Sequence, residues 1–147
     1  MEERIQALIK YHDPDLLPVT QAAEHEWFDL RCAEDVAMSA GEFRVLSLGV
    51  TIRIPEGYEV IIAPRSSTYK SWGILMTNSP AVIDQRYGQD ESDIIRFPAL
   101  AMRDTEIHKN DRICQFRFQQ CQPKVQLLRV NWISGEPRGG IGSTGRN

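Results

Sequence analysis

Four places in this sequence carry residue types suited to an anionic substrate. The first is Pro64-Arg65-Ser66-Ser67, which closes an apolar run and leads into Thr68-Tyr69-Lys70-Ser71-Trp72. Hydroxyls and free amide donors at the start of a helical turn point toward an anion, and the local dipole favours negative charge. A capped surface turn would use the same residues. The second is Asn78-Ser79-Pro80-Ala81-Val82-Ile83-Asp84, followed by Tyr87. It is expected to form a hairpin with exposed backbone amides, and with the Asn78 amide such a hairpin can read the edge of a pyrimidine. Asp84 can orient and deprotonate a water there, or serve only as a turn residue. The third is Arg138-Gly139-Gly140-Ile141-Gly142-Ser143-Thr144-Gly145. Its glycines let the backbone wrap an anion, while Arg138, Ser143 and Thr144 donate to phosphate oxygens. A flexible terminus has the same composition, and without a following Lys or a preceding strand the segment is not a Walker loop. The fourth is Gln115 in Ile113-Cys114-Gln115-Phe116-Arg117-Phe118, where Cys114, Phe116 and Phe118 take one strand face and Gln115 and Arg117 the other.

The elements that must position these residues are mostly strands. Leu46, Leu48, Val50, Ile52 and Ile54 alternate with polar or small residues, which predicts one strand from Leu46 to Ile54. Pro55-Glu56-Gly57 then predicts a turn, with Tyr58 to Ala63 as the antiparallel return, stopping at Pro64. Further short apolar runs occur at Ile5 to Tyr11, Trp27 to Cys32, Ile94 to Met102, Ile113 to Phe118 and Val125 to Val130. Many short strands imply an all-β sandwich or barrel. One helical turn is expected from Ser67 to Trp72, capped by the serine and ended by Gly73. The boundaries that follow are a β-domain over 1–133 and a mobile tail over 134–147, whose Ser, Gly, Pro, Arg and Thr cannot pack a core.

With 147 residues, 41% hydrophobic and 25% charged, the chain suits a single globular core. The net charge is -3, and its 17 basic residues are dispersed among 20 acidic ones, so no basic stripe exists for duplex nucleic acid. Cys32, Cys114 and Cys121 form no CxxC pair and read as buried or reduced thiols, which points to the cytoplasm. No apolar stretch reaches the ~18 residues of a membrane span, and the start lacks a signal core, so a soluble, unprocessed protein is expected. His12, His25 and His108 have no zinc spacing, and Trp27, Trp72 and Trp132 read as packing or interface residues.

In their order along the chain these segments resemble the five motifs of the homotrimeric dUTPases. Asp29-Leu30 matches the end of the first motif, Pro64 to Ser67 the second, Val82-Ile83-Asp84 with Tyr87 the third, Asp111 to Gln115 the fourth and Arg138 to Gly145 the fifth. The wording around Pro64 to Lys70 and Arg112 to Arg117 looks most like the Gram-positive bacterial and phage branch. The resemblance implies a jelly-roll subunit in a homotrimer with an exchanged C-terminal tail. It implies hydrolysis of dUTP to dUMP and pyrophosphate, with Asp84 activating the attacking water. Asn78 and the backbone of Val82 and Ile83 would bind uracil, and Tyr87 would lie under the deoxyribose. Arg65, Ser66, Ser67 and Gln115 would hold or brace the phosphates, and Arg138, Gly140, Ser143 and Thr144 would close over them. Mg2+ would be held chiefly by triphosphate oxygens and water, with Asp29 either touching its water shell or bracing the second motif.

The chain departs from the family pattern at several points. Trp27-Phe28 stands where small residues are usual, Ser67 and Ala81 where Gly is usual, and Arg86 where an acidic or small residue is usual. Ile141 replaces a Phe that stacks on uracil, which leaves Arg96 or Phe97 as candidates to cover the base. A dCTP deaminase relative would need a Glu in the strand after the third motif, and Ile94-Ile95-Arg96-Phe97-Pro98 has none. A nucleotide-sensing module, with a protein regulator as partner, would use the same pocket without turnover. A purely structural β-protein would not need the ordered motifs.

Overall fold

The computed structural model describes residues 4–135. In chain order its elements are β1 (Leu8–Tyr11), β2 (Thr20–Gln21), β3 (Phe28–Arg31), β4 (Val36–Met38), β5 (Phe43–Ser47), β6 (Val50–Arg53) and β7 (Tyr58–Pro64). These are followed by α1 (Thr68–Trp72), β8 (Ile74–Met76), β9 (Ala81–Ile83), β10 (Arg96–Ala101), β11 (Thr105–Ile107) and β12 (Arg112–Gln120). The largest sheet has the order β2-β3-β12-β7-β9, a second has β5-β10-β8, and β1-β6 and β11-β4 form antiparallel pairs.

Alternation of residues along the strands builds the core between these layers. Val60 and Ile62 of β7 and Cys114 and Phe116 of β12 turn inward from the large sheet, and Leu46 of β5 and Phe97 and Ala99 of β10 from the smaller one. Each large apolar side chain removed from water here contributes about 1.5–3 kcal/mol. Phe28 stacks on Phe116 with ring centroids 5.2 Å apart, which ties β3 to β12. Antiparallel sheets around one core, with a single turn of helix, make an all-β jelly-roll sandwich, the expected class.

Several local expectations are corrected. The alternating run from Leu46 to Ile54 is two strands, because Gly49 at φ +69° breaks it after Leu48. A side chain at Gly49 would also come within 2.8 Å of Ala33 and Leu16. The turn at Pro55 to Gly57 exists, with Tyr58 N–H donating to the Pro55 carbonyl. β7 nevertheless does not return on β6: it crosses to the large sheet and pairs with β12 and β9. Asn78 to Asp84 is not a paired hairpin either, since β8 lies on β10 and β9 on β7. Val125 to Val130 forms no strand, and Leu127 and Leu128 are 92% and 73% exposed. Ser67 occupies the helix N-cap but makes no side-chain cap bond; Gly73 ends the helix in the left-handed region as expected. Cys32 and Cys114 are buried and Cys121 is exposed, all three as free thiols. No helix among the described residues is long and apolar enough to cross a membrane. The part of the expected tail from residue 136 onward lies outside the described residues.

Candidate active site

The end of β7 makes one corner of the site. Asp29 of β3 pairs with Gln115 of β12, which pairs with Ala63 of β7, so the three stand in one row across the sheet. Arg65 leaves β7 just beyond that row, and its guanidinium meets Asp29 Oδ1 at 3.2 Å and donates to the Arg112 carbonyl at 2.9 Å. Arg112 meets the other carboxylate oxygen, Oδ2, at 3.2 Å. Asp29 therefore braces the Arg65 corner, one of its two expected roles. The Gln115 side-chain amide donates to the Pro64 carbonyl at 3.1 Å, and Ser66 is exposed on the turn that follows.

Thr68 fixes this corner, although nothing in the sequence singled it out. It is 1% exposed, and its hydroxyl accepts the Arg65 N–H and donates to the Ile113 carbonyl, both at 2.8 Å. The β12–β3 register shifts between Arg112 and Cys114, so Ile113 sits at a bulge that the ladder leaves out. A hydroxyl in the following helical turn meets the need that the bulge creates. The visible signal was a third hydroxyl residue after Ser66-Ser67.

A separate cleft of about 500 Å³ opens beside β9. Asn78, Val82, Ile83, Asp84 and Tyr87 line it, together with Arg86, Ile95, Arg96 and Pro98. The Tyr87 hydroxyl donates to the Ile94 carbonyl at 2.5 Å, which holds the ring against the cleft wall. Gly88 then passes so close to β6 that a Cβ would lie 2.0 Å from the Ile52 carbonyl oxygen. Phe97 is 0% exposed and belongs to the core, so it cannot cover a bound base; Arg96 is exposed and lines the cleft.

Asp84 stands at the cleft rim with Arg86 folded onto it, Nη2 at 2.6 Å from Oδ2. The Arg86 side chain, and then its backbone N–H, hold the Asp84 carboxyl below the ordinary carboxylate range. Among the described residues lining this cleft Asp84 is the one carboxylate. Ile83 pairs with Val60, so Asp84 follows β9 toward the Tyr58 end of β7, while Arg65 follows the Pro64 end. Arg138, Gly140, Ser143 and Thr144 lie outside the described residues.

Comparison with known proteins identifies the family. A family model described as dUTPase matches residues 16–145. Over 141 residues the chain is 48% identical to the SPbeta prophage-derived deoxyuridine 5'-triphosphate nucleotidohydrolase YosS of Bacillus subtilis, covering 96% of this chain and 99% of that protein. Its fold is similar to that of the Staphylococcus bacteriophage 80alpha dUTPase, solved with dUPNHPP. That likeness has a TM-score of 0.76 at 17% identity, over 95% of this chain and 98% of the other. It is also similar to a mutant dUTPase from phage phi11 of S. aureus, whose structure describes the coordination of a structural Mg(II) ion. The TM-score there is 0.73 at 14% identity, over 87% and 98% of the two chains. A family model that matches from Leu16 to Gly145, with a relative 48% identical over almost its whole length, establishes that this chain belongs to the dUTPase family.

Proposed function

We propose that this protein hydrolyses dUTP to dUMP and pyrophosphate, with Asp84 as the base. The observation that carries this reading is Asp84 at the rim of a cleft that holds no other carboxylate among its described lining residues. Asn78 and the main chain of Val82 and Ile83 would read the uracil edge, and Tyr87 would support the deoxyribose. Asp84 takes a proton from a water whose oxygen bonds to the α-phosphorus. The bond from that phosphorus to the α,β-bridging oxygen breaks, and pyrophosphate leaves with the electron pair. Arg65, Ser66, Ser67 and Gln115 would receive the phosphates, and Arg138, Gly140, Ser143 and Thr144 of the tail would complete their enclosure.

Magnesium suits the donor set in one particular way. The described residues gather no group of three or more His, Cys, Asp or Glu, whereas Mg2+ commonly keeps its waters and binds through substrate phosphates. Asp29 accepts one guanidinium contact on each oxygen and keeps lone pairs for a metal-bound water. When bound, the ion would neutralise charge on the phosphates.

The placement of Asp84 and Arg65 beyond opposite ends of the β7–β9 pairing supports sites shared between chains, and hence the homotrimer. The exposed apolar residues Val125, Leu127, Leu128, Val130, Trp132 and Ile133 support the exchange of the C-terminal arm onto a neighbour. The burial of Cys32 and Cys114 as free thiols supports a cytoplasmic setting.

The test is incubation of the protein and Mg2+ with dUTP, dCTP, dTTP and UTP separately, with Asp84→Asn alongside. The expected result is dUMP and pyrophosphate from dUTP alone, abolished in the variant. Tight dUTP binding without turnover would replace the hydrolase by a nucleotide-sensing module, and ammonia from dCTP would replace it by a deaminase.

A further inference from the structure

Arg86 engages both oxygens of the Asp84 carboxylate. Oδ1 accepts the Arg86 backbone N–H at 2.8 Å and Arg86 Nε at 3.3 Å, while Oδ2 accepts Nε at 3.1 Å and Nη2 at 2.6 Å. Three hydrogens of one residue make these contacts, the single Nε–H being shared between the two oxygens, and the Asp84 side chain stays 47% exposed. A carboxylate held in such an ion pair is a weaker proton acceptor than one whose guanidinium has moved away. The Arg86 side chain is 92% exposed and lines the same cleft, so it is free to turn. An exposed ion pair is weak, and a phosphate offers a guanidinium more charge and the same two-pronged geometry.

We propose that Arg86 is a phosphate-binding residue that pairs with Asp84 and moves to an α-phosphate oxygen when the nucleotide enters, releasing the base from its ion pair as it does so. This rests on the reading of Asp84 as the base. The same motion serves two purposes: the base is released from its ion pair when a phosphate is present to attack, and the arriving negative charge is met at the α-phosphorus. A deoxyuridine without phosphate would enter the cleft and leave Arg86 where it is.

The experiment compares wild type, Arg86→Ala and Arg86→Lys by calorimetric titration with dUMP and with deoxyuridine, and by steady-state turnover of dUTP. Arg86→Ala is expected to weaken dUMP by about tenfold and to raise KM for dUTP, with deoxyuridine affinity unchanged. Arg86→Lys, which keeps the charge and loses the fork, is expected to fall between. Unchanged dUMP affinity in Arg86→Ala with dUTP still turned over would overturn the proposal and leave the hydrolase reading standing. Equal weakening of dUMP and deoxyuridine would also overturn it, since the residue would then only shape the cleft. Failure of the wild-type protein to turn over dUTP would remove the reading of Asp84 instead.

Discussion

Replacing Thr68 by valine keeps the side-chain volume and deletes one hydroxyl, which isolates the bond that joins the Arg65 corner to β12. Two main-chain groups lose their partner: the Arg65 N–H and the Ile113 carbonyl, each 2.8 Å from Thr68 Oγ1. Ile113 sits at the β12 bulge, so the ladder offers its carbonyl no simple substitute, and Thr68 is 1% exposed. A buried group left without a partner costs about 1–3 kcal/mol, so the loss is about 2–4 kcal/mol in total after local relaxation. For a chain of this size that corresponds to a fall in Tm of roughly 4–16 °C. Thr68→Ser keeps the hydroxyl and loses a methyl group, at about 1 kcal/mol. Urea unfolding at one protein concentration measures the difference, and KM for dUTP reports the loosened Arg65. If Thr68→Val lies within about 0.5 kcal/mol of wild type, or Thr68→Ser is as damaging, the hydroxyl is not what holds the corner.

Gly88→Ala is expected to abolish soluble, active protein, because its Cβ would sit 2.0 Å from the Ile52 carbonyl at φ +109°; a well-folded variant in a melting assay would contradict the packing. Thiol labelling of native protein at neutral pH should modify one cysteine rapidly, Cys121, and all three in denaturant. Burial pushes the Cys32 thiol up to about 11 and the Cys114 thiol higher still, so reaction of either buried thiol at neutral pH would mean that the core opens. Asp29→Asn removes the carboxylate between Arg65 and Arg112 and should cost about 1 kcal/mol of stability while raising KM for dUTP; an unchanged KM would mean that neither arginine depends on it. Asp84→Asn and Arg65→Ala chains, each impaired alone, should regain turnover when unfolded together and refolded as a mixture; no recovery would argue against sites shared between chains.

The fold class was legible in the sequence because the longer strands announce themselves locally, through alternation and bounding Pro, Gly or Asn; β2, β4, β8, β9 and β11, of two or three residues, do not. Partner choice was not. β7 looked like the return of the preceding strand because a Pro-Glu-Gly turn joins them, yet a turn sets only the reversal and not the sheet in which the next strand lands. The break at Gly49 was hidden for a related reason: Leu48 and Val50 are both buried on either side of it, so the apolar pattern continues through a change of sheet. Val125 to Val130 shows the converse error, where apolar residues that read as a core strand are left exposed in a single chain.

The candidate site was legible motif by motif, because each motif has its own local chemistry: Arg65 beyond a strand end, Asp84 after β9, Gln115 on the polar face of β12. What no local pattern carried is the distance between them, which the β7–β9 and β7–β12 registers set. Those registers put Gln115 and Asp29 beside one end of β7 and Asp84 beside the other. The proposed base and the Arg65 corner are thus placed beyond opposite ends of the β7–β9 pairing, although the proposed reaction needs both at one α-phosphorus. A second copy that brings its own corner to this cleft removes the contradiction without bending the sheet. The same reasoning explains why Arg86 escaped notice as more than an odd residue in the motif: its meaning lies in the four contacts it makes with Asp84, two residues away, and those exist only once the turn after β9 has folded.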